Sequence, residues 1–505
     1  GNIINYYERV VKDLYNGVER PFITYVMDVI NREWDEKNIF IIEAPTGYGK
    51  TTISSALSLF LAREKLKSIV AYPVRSLLED QYRKFVKVCG DSRLVGKRYM
   101  YNPESRYLIK PVTLTTIDVL SLMMFGLSPE DLDNVIKYWS GTSLGSIGHY
   151  LFSWSSIFLS DITLDEVHLL ADSTKSLNFL ISLMKLAISN DQRLLLMSAT
   201  LPKAFYEALD ISEDKMCISR FNKADLDRDF VAERCNKEYK VELISLKKNE
   251  KYEKISKIVE EELARGRKII VIFNTVKEAV EFFQYISERI KVGPLLLHSK
   301  YSEYDREAKM DKLTKLKDRN EFLLVTTQVI EVGVDISCDV MITDIAPANS
   351  LIQRIGRFLR YEEEEGRLIV WYEEDEGNGR YKVYNYELVK RTLDKLKESK
   401  EFLNLHIPIG CDGKRGYYEL INYVYRKDDF YVDRELVNEL CTISLNLETG
   451  PLMAVEKFLD LEGSFVRESS LIPVSIEPPQ PSESPSLYTR RKTIPISLDE
   501  FELLR

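Results

Sequence analysis

Short apolar runs separated by helical stretches recur along the first part of the chain. The runs lie at residues 38–43, 67–72, 157–164 and 193–197, and residues 54–65 follow the first of them with the pattern of a helix. Apolar runs of this length that alternate with helices are typical of a parallel sheet with helices on both faces. The pattern therefore predicts a first α/β domain.

The same alternation begins again after a charged segment, residues 225–254. Its apolar runs predict the strands of a second parallel sheet and lie at residues 268–273, 294–297, 322–326 and 339–345. Beyond the acidic run at 361–366 the pattern becomes mixed and aromatic. Six prolines within residues 473–495 disfavour a regular core element, so we interpret that segment as a surface linker.

Composition limits the class of protein without deciding it. Of the 505 residues, 45% are apolar and 30% are charged, which excludes a disordered or fibrous chain. The net charge is −9, so a nucleic-acid site would need a local basic strip. No signal-peptide pattern starts the chain, and the uncharged residues 139–160 contain many Ser, Thr and Gly residues, which favours a buried helix and loop over a membrane span. We therefore expect a cytoplasmic protein with no membrane partner.

Cysteine and histidine are both sparse. The six cysteines are scattered and form no CxxC pair, a distribution that suits a reducing compartment and argues against structural zinc. Only four histidines are present, which leaves little basis for histidine-rich metal chemistry.

The segment APTGYGKTT (44–52), between an apolar run and a predicted helix, has the pattern of a phosphate-binding loop. Glycines let backbone N–H groups turn toward phosphate oxygens, and the helix start adds partial positive charge. Lys50 would reach the β- and γ-phosphates and the Thr51 hydroxyl would hold Mg²⁺, although Ala44 replaces the usual first glycine. The loop predicts ATP and Mg²⁺ as cofactors, bound by Thr46, Gly47, Gly49, Lys50, Thr51 and Thr52.

The acidic pair Asp165–Glu166 ends the apolar run 157–164. Buried carboxylates are costly unless something uses them, so Asp165 is a candidate Mg²⁺ ligand and Glu166 a candidate general base for the attacking water. A solvated strand end is the alternative interpretation. His168 is either a structural histidine or a residue that couples the site to its surroundings, and Ser198-Ala199-Thr200 could relay the nucleotide state.

The second domain carries its own motifs. Residues 326–335 join a predicted strand to a glycine-containing turn, and QRIGRFLR (353–360) spaces three arginines at three-residue intervals. This spacing places Arg354, Arg357 and Arg360 along one side of a predicted helix. Opposite a phosphate loop such arginines would stabilise charge on a transferring phosphoryl group, whereas in isolation they would form surface salt bridges.

The ordered set of motifs resembles the superfamily 2 helicases, in which two RecA-like domains clamp one ATP. More narrowly, the chain resembles the helicase subunit of type I CRISPR interference, the motor that unwinds target DNA and feeds it for degradation. The narrower resemblance spans roughly residues 20–370 and is carried by TTIDVL (115–120), HYLFSWSSIFLSDITLDEVH (149–168), LLHSKYSEYDRE (296–307) and TTQVIEVGVDIS (326–337).

The resemblance implies roles for particular residues. Lys50, Thr51, Asp165 and Glu166 match the phosphate, Mg²⁺ and water-activating positions. The second domain would supply Arg357 and Arg360 as arginine fingers, Gln353 from the same motif, and Gly333 and Asp335 as nucleotide contacts. The segments that line single-stranded nucleic acid in relatives contain Pro73, Val74, Arg75, Thr115, Thr116, Asn274, Thr275 and Thr327.

The chain departs from this family at two points. Ile23 stands where relatives often carry an adenine-reading glutamine, which leaves base selectivity open. Many relatives also begin with a metal nuclease domain built on a His-Asp pair, and this sequence contains no His-Asp dipeptide. The resemblance then implies a split arrangement in which an HD-type nuclease is a separate subunit.

A basic strip is visible without the family. Residues 75–110 carry nine Lys and Arg residues against four acidic ones, interleaved with Tyr82, Tyr99, Tyr101 and Tyr107 that could stack on bases. The alternative is a solvated helix face with packed tyrosines.

These observations predict an α/β fold of two tandem RecA-like parallel-sheet domains, residues 1–230 and 231–395, with a smaller C-terminal accessory domain, residues 396–505. They favour an ATP-dependent 3′→5′ DNA helicase and translocase of CRISPR interference. Its expected partners are single-stranded DNA, the CRISPR RNA-guided interference complex and the separate nuclease. An RNA helicase of the same superfamily and an ATP-gated nucleic-acid clamp that does not unwind remain as alternatives.

Overall fold

The structure, a computed structural model, describes residues 2–100, 104–127, 151–374 and 383–447, with residue 102 and short stretches between 453 and 502. The chain divides into two compact units. The first contains Gly1–Phe221 and Lys427–Ser470, and the second contains Asn222–Arg426 and Leu471–Arg505.

The first unit is built on a seven-stranded parallel sheet in the order β3-β4-β2-β5-β6-β1-β7. Its strands are β1 (Ile39–Glu43), β2 (Lys67–Tyr72), β3 (Val95–Arg98), β4 (Val112–Thr116), β5 (Ser160–Leu164), β6 (Leu194–Ser198) and β7 (Met216–Arg220). β1, β4 and β6 are buried at every position, as expected for strands covered on both faces.

The helices of the first unit are Ile3–Tyr15, Pro21–Glu33, Thr51–Arg63, Arg75–Cys89, Ile117–Met123, Leu151–Phe158, Thr174–Ser189, Lys203–Ala208 and, far along the chain, Arg434–Asn446. Short 3₁₀ turns lie at Ser92–Leu94, Val167–Ala171, Glu213–Lys215 and Lys427–Asp429. Several hydrogen bonds attach the last helix to this unit. The Asp433 N–H donates to Asn178 Oδ1 at 2.9 Å, and Trp154 Nε1 donates to the Ser444 carbonyl at 3.0 Å.

The second unit contains a six-stranded parallel sheet in the order β10-β11-β9-β12-β13-β8. Its strands are β8 (Glu238–Leu246), β9 (Lys268–Ile272), β10 (Leu295–Leu297), β11 (Phe322–Thr326), β12 (Val340–Asp344) and β13 (Glu365–Glu373). The helices are Arg228–Cys235, Lys251–Ala264, Val276–Ser287, Glu303–Leu316, Ala348–Ile355, Tyr386–Ser399 and Tyr417–Val424, with 3₁₀ turns at Ala224–Leu226, Gln328–Glu331 and Lys400–Phe402. The rings of Phe273, Phe282 and Trp371 form the centre of its core.

The two predicted parallel sheets are confirmed, but the units differ from the predicted bounds. The first break falls after Phe221 instead of residue 230, and the predicted accessory region is shared between the two units. The reason is packing: residues 427–446 attach to the first unit, whereas the helix Tyr417–Val424 packs on the helices Ala348–Ile355 and Tyr386–Ser399 of the second.

The proline-rich segment also departs from its prediction. Its two ends form an antiparallel pair, β14 (Leu471–Val474) and β15 (Ile494–Ser497), in which Pro473 faces Pro495. Proline is tolerated there because a two-stranded pair consists of edge strands, whose outward N–H groups need no ladder partner.

One pair of cysteines is joined, against the expectation of a reducing compartment. Cys235 and Cys411 form a disulfide across a sequence separation of 176 residues, while Cys89, Cys217, Cys338 and Cys441 are free thiols. A spacing this long carries no local signal, so the sequence pattern did not indicate the pair. Residues 139–150 of the uncharged stretch lie outside the described residues, and within those described no helix is long and apolar enough to cross a membrane.

Candidate nucleotide-binding site and arginine motif

The phosphate-binding loop connects the end of β1 to the helix that starts at Thr51. Gly47 has φ +74° and Gly49 has φ +100°, conformations that glycine adopts readily and other residues rarely do. Lys50 is 9% exposed, and its Nζ donates to the carbonyls of Ala44 at 3.0 Å and Pro45 at 3.4 Å. The ammonium is therefore folded over the loop.

The acidic pair follows β5 directly. The Asp165 N–H donates to the Ala71 carbonyl at 3.0 Å, and the Glu166 N–H donates to Asp165 Oδ1 at 2.9 Å. Burial, with the neighbouring Glu166 charge, raises the pKa of Asp165 to about 7, although Lys50 opposes the shift. Glu166 has φ +53°, a left-handed conformation that is uncommon for a residue with a side chain.

His168 connects the acidic pair to the end of β6. Its Nδ1 lies 3.0 Å from Ser198 Oγ and 3.4 Å from Glu166 Oε2, and burial lowers the pKa of the imidazole. Ser198 Oγ in turn accepts from the Thr200 N–H at 3.2 Å. Of the two interpretations left open by the sequence, these contacts favour a residue that couples Glu166 to Ser198-Ala199-Thr200.

Sequence reasoning missed Glu43, the last residue of β1. Its carboxylate is fully buried and accepts from the Leu201 N–H at 2.9 Å and from the Tyr206 hydroxyl at 2.5 Å. Arg220 Nε lies 2.6 Å from the same carboxylate. The signal in the sequence was a charged residue at the end of an otherwise apolar run. The Glu43 carboxylate anchors the segment that follows Ser198-Ala199-Thr200.

A cavity of about 220 Å³ lies beside the phosphate loop in the first unit. Its lining residues are Tyr7, Val11, Tyr15, Asn16, Val18, Arg20, Ile23, Tyr48, Gly49 and Thr52. The Arg20 guanidinium lies 5.0 Å from the centre of the Tyr48 ring, and Ile23 is 2% exposed. The cavity thus combines aromatic rings, an amide and a guanidinium next to the loop glycine.

In the second unit the three arginines do not share one helix face. The helix ends at Ile355, so only Arg354 lies on it, and the prediction of a continuous helix through Arg360 is wrong. Arg354 is fully buried. Its guanidinium bonds Glu331 at 2.9 Å, Thr343 Oγ1 at 3.0 Å and Asn274 Oδ1 at 2.9 Å, which makes it a structural residue.

Arg357 and Arg360 lie in the turn that follows. Arg357 donates from Nε to the Ile330 carbonyl and from Nη2 to the Glu331 carbonyl, both at 3.1 Å. Arg360 lies 3.8 Å from Asp335, which Lys317 also approaches at 2.6 Å. Burial would raise the pKa of Asp335, but its bond to Lys317 and the charge of Arg360 outweigh this and hold it below the usual value.

Two further residues predicted from the sequence complete this region. Gln353 is 1% exposed on the helix that carries Arg354. Gly333, with φ +71°, lies on the loop between the turn Gln328–Glu331 and Asp335. The structure therefore brings Gly333 and Asp335 close to the arginine turn within the second unit.

The eight residues predicted to line nucleic acid follow or end parallel strands. Pro73, Val74 and Arg75 follow β2, Thr115 and Thr116 end β4, Asn274 and Thr275 follow β9, and Thr327 follows β11. Carboxyl ends of parallel strands lie at one edge of a sheet, where open α/β sheets bind ligands.

Their side chains differ in accessibility. Val74 is 37% exposed, whereas Thr115 and Thr327 are buried. Asn274 donates to the Ile345 carbonyl at 2.8 Å, and the Thr275 hydroxyl caps the helix Val276–Ser287 by accepting from the Glu278 N–H at 3.2 Å. Because the Asn274 and Thr275 side chains already have these partners, contacts to a nucleic-acid strand at these two residues would have to come from the backbone.

The basic strip is largely occupied by internal contacts. Arg98 is fully buried, and Tyr99, 3% exposed, donates its hydroxyl to Glu79 at 2.7 Å. Lys97 pairs with Glu79 at 3.0 Å and lies over the Tyr82 ring at 4.8 Å. Of the two interpretations left open by the sequence, these contacts favour packed tyrosines at Tyr99, and Tyr101 lies outside the described residues.

Comparisons with known proteins match both parts of the chain. Residues 25–208 match the DEAD/DEAH box helicase family, and residues 265–363 match the C-terminal family of the CRISPR-associated nuclease/helicase Cas3. A putative CRISPR-associated nuclease/helicase Cas3 of Methanocaldococcus jannaschii is 27% identical over 72% of this chain and 50% of its own length. A CRISPR-associated helicase Cas3 of Thermoproteus tenax is 24% identical over 63% of this chain and 53% of its own length.

Solved structures agree at the level of fold. The crystal structure of T. fusca Cas3 with AMPPNP covers 98% of this chain and 66% of that chain with a TM-score of 0.69 at 17% identity. A CRISPR RNA-guided surveillance complex contains a chain with a TM-score of 0.61 at 18% identity. The tandem RecA-like fold is thereby confirmed. The chain spans about half the length of the curated relatives it matches, and the two family matches show similarity over residues 25–208 and 265–363.

Proposed function

We propose that this chain is an ATP-dependent 3′→5′ DNA helicase and translocase that unwinds target DNA in CRISPR interference. It acts with an RNA-guided interference complex and with an HD-type nuclease that is a separate subunit. The observation that carries the ATPase is the clustering of Asp165, Glu166, His168 and Ser198 in the unit that holds the phosphate loop. The Glu166 N–H donates to Asp165 Oδ1, and His168 Nδ1 lies 3.0 Å from Ser198 Oγ and 3.4 Å from Glu166 Oε2. The Cas3-like sequence of residues 265–363 supports the CRISPR assignment.

The residues present fit Mg²⁺ and a triphosphate. A buried carboxyl with a raised pKa, such as Asp165, is a group that a divalent cation returns to its charged form, and carboxylate and hydroxyl oxygens are the ligands Mg²⁺ prefers. Asp165 and Thr51 would hold the ion, which neutralises charge developing on the phosphates. Phosphate oxygens are stronger acceptors than the two carbonyls that Lys50 now bonds, so the ammonium would turn to them.

Hydrolysis in this proposal depends on Glu166. Its carboxylate orients the attacking water and takes the proton as the oxygen attacks the γ-phosphorus. His168 Nδ1 lies next to both this carboxylate and the Ser198 hydroxyl, so it would pass changes at the site to Ser198. That contact gives the Ser-Ala-Thr segment a physical route for sensing the nucleotide.

The arginines would act late in the cycle. Arg357 now bonds two main-chain carbonyls and Arg360 pairs with Asp335, so both guanidinium groups have partners that a phosphoryl group would have to replace. An interaction formed only in the transition state raises kcat with little effect on ground-state binding. We therefore assign Arg357 and Arg360 to the hydrolysis step.

ATP turnover with single-stranded DNA, with single-stranded RNA and without nucleic acid tests the proposal. A DNA helicase is stimulated by DNA, whereas stimulation by RNA alone would identify an RNA helicase. Strand displacement on duplexes with a 3′ or a 5′ overhang then tests unwinding and its direction. Turnover without displacement, even with the interference complex added, would identify a nucleic-acid clamp and overturn the helicase assignment.

A further inference from the structure

We infer that His406 is a positioning residue that fixes the arginine turn, residues 356–360, and thereby sets the rate of ATP hydrolysis without touching nucleotide. The inference rests on the proposed ATPase function. His406 itself lies outside both family matches and outside the motifs recognised in the sequence.

The contact that carries the inference is a hydrogen bond between His406 and the turn. His406 Nε2 lies 2.9 Å from the main-chain carbonyl of Phe358, one of the two residues between Arg357 and Arg360. A carbonyl oxygen only accepts, so Nε2 carries the proton. His406 is 8% exposed, and its Nδ1 has no hydrogen-bond partner among the described residues.

The imidazole is kept neutral by its surroundings. Burial, together with the charges of Arg234 and Lys237, lowers the pKa of His406 to about 3, although the bond to the Phe358 carbonyl opposes the shift. A neutral imidazole has one N–H group, and here that group is committed to Phe358. The side chain is thus a dedicated donor to the arginine turn.

The turn needs such support because its backbone is unfavourable. Leu359 has φ +50°, and a residue with a branched side chain adopts this left-handed conformation only where surrounding contacts fix it. The Leu359 N–H donates to the Cys338 carbonyl at 2.8 Å, and the Cys338 N–H donates to the Arg357 carbonyl at 3.0 Å. The Phe358 carbonyl lies between these two bonds, and His406 is the group that holds it.

His406 is itself fixed within a looped segment, residues 402–417, which we call the brace. The Arg415 N–H donates to the Phe402 carbonyl at 2.8 Å, and the Asn404 N–H donates to the Arg415 carbonyl at 2.7 Å. Asn404 Oδ1 accepts from the His406 N–H at 2.9 Å. The backbone at His406 is therefore tied to an isolated parallel bridge between Leu403 and Arg415.

The far end of the brace is closed by a tight turn and the disulfide. Cys411 and Lys414 exchange both main-chain hydrogen bonds, at 3.0 and 2.9 Å, around Asp412 and Gly413, which have φ +50° and +77°. Positive φ at both central residues is the pattern of a type I′ hairpin turn. The Cys235 sulfur then joins the brace to the helix Arg228–Cys235.

Aromatic rings hold the imidazole from its sides. The Tyr239 ring lies 4.8 Å and the Phe358 ring 5.6 Å from the imidazole, centre to centre, and the Tyr239 hydroxyl accepts from the Leu405 N–H at 2.9 Å. His406 is thus fixed in position and orientation on three sides. A shift of the Phe358 carbonyl would move the arginines on both sides of it, and misplacement by about 1 Å can cost ~10²-fold in rate.

Substitution of His406 separates positioning from packing. His406→Leu fills the space without a donor, whereas His406→Gln places an amide N–H near the position of Nε2. We expect His406→Leu to lower kcat for DNA-stimulated ATP turnover by about tenfold or more, with KM for ATP within about twofold. His406→Gln should recover most of the lost rate.

Ile407→Val is the matched control, because Ile407 is fully buried in the same brace and its side chain offers no hydrogen bond. It should lower the melting temperature and leave kcat unchanged. If His406→Leu does not fold, His406→Gln is compared with His406→Asn, whose shorter amide does not reach Phe358, and kcat should be lower for Asn.

Different results would overturn the proposed ATPase and the positioning role of His406. A wild-type chain without ATP turnover, or with turnover that Glu166→Gln does not reduce, would contradict the proposed ATPase. A wild-type ATPase whose folded His406→Leu variant keeps full kcat, or whose Gln and Asn variants have equal kcat, would overturn the positioning role and leave the ATPase standing.

Discussion

In the proposed function single side chains carry the chemistry of the first unit, and Glu166 is the clearest test of it. Glutamine has the shape of glutamate but cannot take a proton, so Glu166→Gln should retain ATP and Mg²⁺ binding and lower turnover at least ~10²-fold. Nucleotide binding and phosphate release, measured side by side, check this. Lys50→Ala is the contrasting variant, since it should weaken nucleotide binding itself. Normal turnover in Glu166→Gln would remove this residue from the mechanism.

The residues that line the cavity beside the phosphate loop lead to a prediction about selectivity between ATP and GTP. Ile23, buried in its lining, offers no hydrogen bond to an adenine edge, so we expect ATP to be preferred over GTP by less than about a thousandfold. Ile23→Gln should increase the preference for ATP, with Ile23→Val as the packing control. Steady-state turnover with both nucleotides decides it, and a wild-type preference beyond a thousandfold would contradict the expectation.

At the scale of elements, apolar runs predicted the central strands well because burial on both faces leaves a continuous apolar signal. β1, β2, β9 and β11 were predicted to within one or two residues. β8 was missed because it lies at the sheet edge and reads EYKVELISL within a charged segment. Its partly exposed face keeps polar residues, so the alternation resembles a linker.

The arginine motif shows where spacing alone misleads. A three-residue interval suggests one helix face, but the helix stops at Ile355 and the chain turns through Leu359 with positive φ. The three-residue spacing therefore identified which arginines belong to the motif, but it did not predict the shape of the backbone that carries them. The anchoring contacts of Glu43 and the contacts of the brace around His406 join segments that are far apart in the sequence. No local sequence pattern predicts such contacts.

Because the helix Ala348–Ile355 ends before Arg357, we expect Arg354 to have a structural role and Arg357 and Arg360 a role in hydrolysis. Substitution of each residue tests this division. Arg357→Ala and Arg360→Ala should each lower ATP turnover far more than ATP binding and reduce the stimulation by DNA. Arg354→Ala should instead lower the stability of the fold by about 3–5 kcal/mol, since it leaves Glu331 buried without its cation. Turnover, ATP affinity and thermal unfolding measured together separate the two classes. Normal turnover in both turn variants would exclude them as arginine fingers.

At the scale of the whole molecule, the proposal separates unwinding from cutting. Among the described residues, His168, His298 and His406 each have a partner other than a metal: Ser198 Oγ, the Lys300 N–H and the Phe358 carbonyl. The one group of potential metal ligands in the described part of the chain is Cys235, Cys411 and Asp412. We therefore expect the purified chain to leave single-stranded DNA intact.

Incubation with Mn²⁺, Ni²⁺ or Mg²⁺, with and without ATP, checks this prediction on labelled DNA. Cleavage should appear when the separate nuclease is added and should depend on ATP for duplex targets. Cutting by the chain alone that survives rigorous purification would refute the division of labour.

The bond between Cys235 and Cys411 also makes a closed covalent ring, and all six strands of the second sheet lie inside it. A protease that nicks any loop of this ring leaves two fragments still joined, so the nick becomes visible on a denaturing gel only after a reductant is added. An uncut chain denatured with the ring intact is less extended than the reduced chain and should migrate faster. Band position without reductant therefore reports how many molecules in a preparation carry the ring closed.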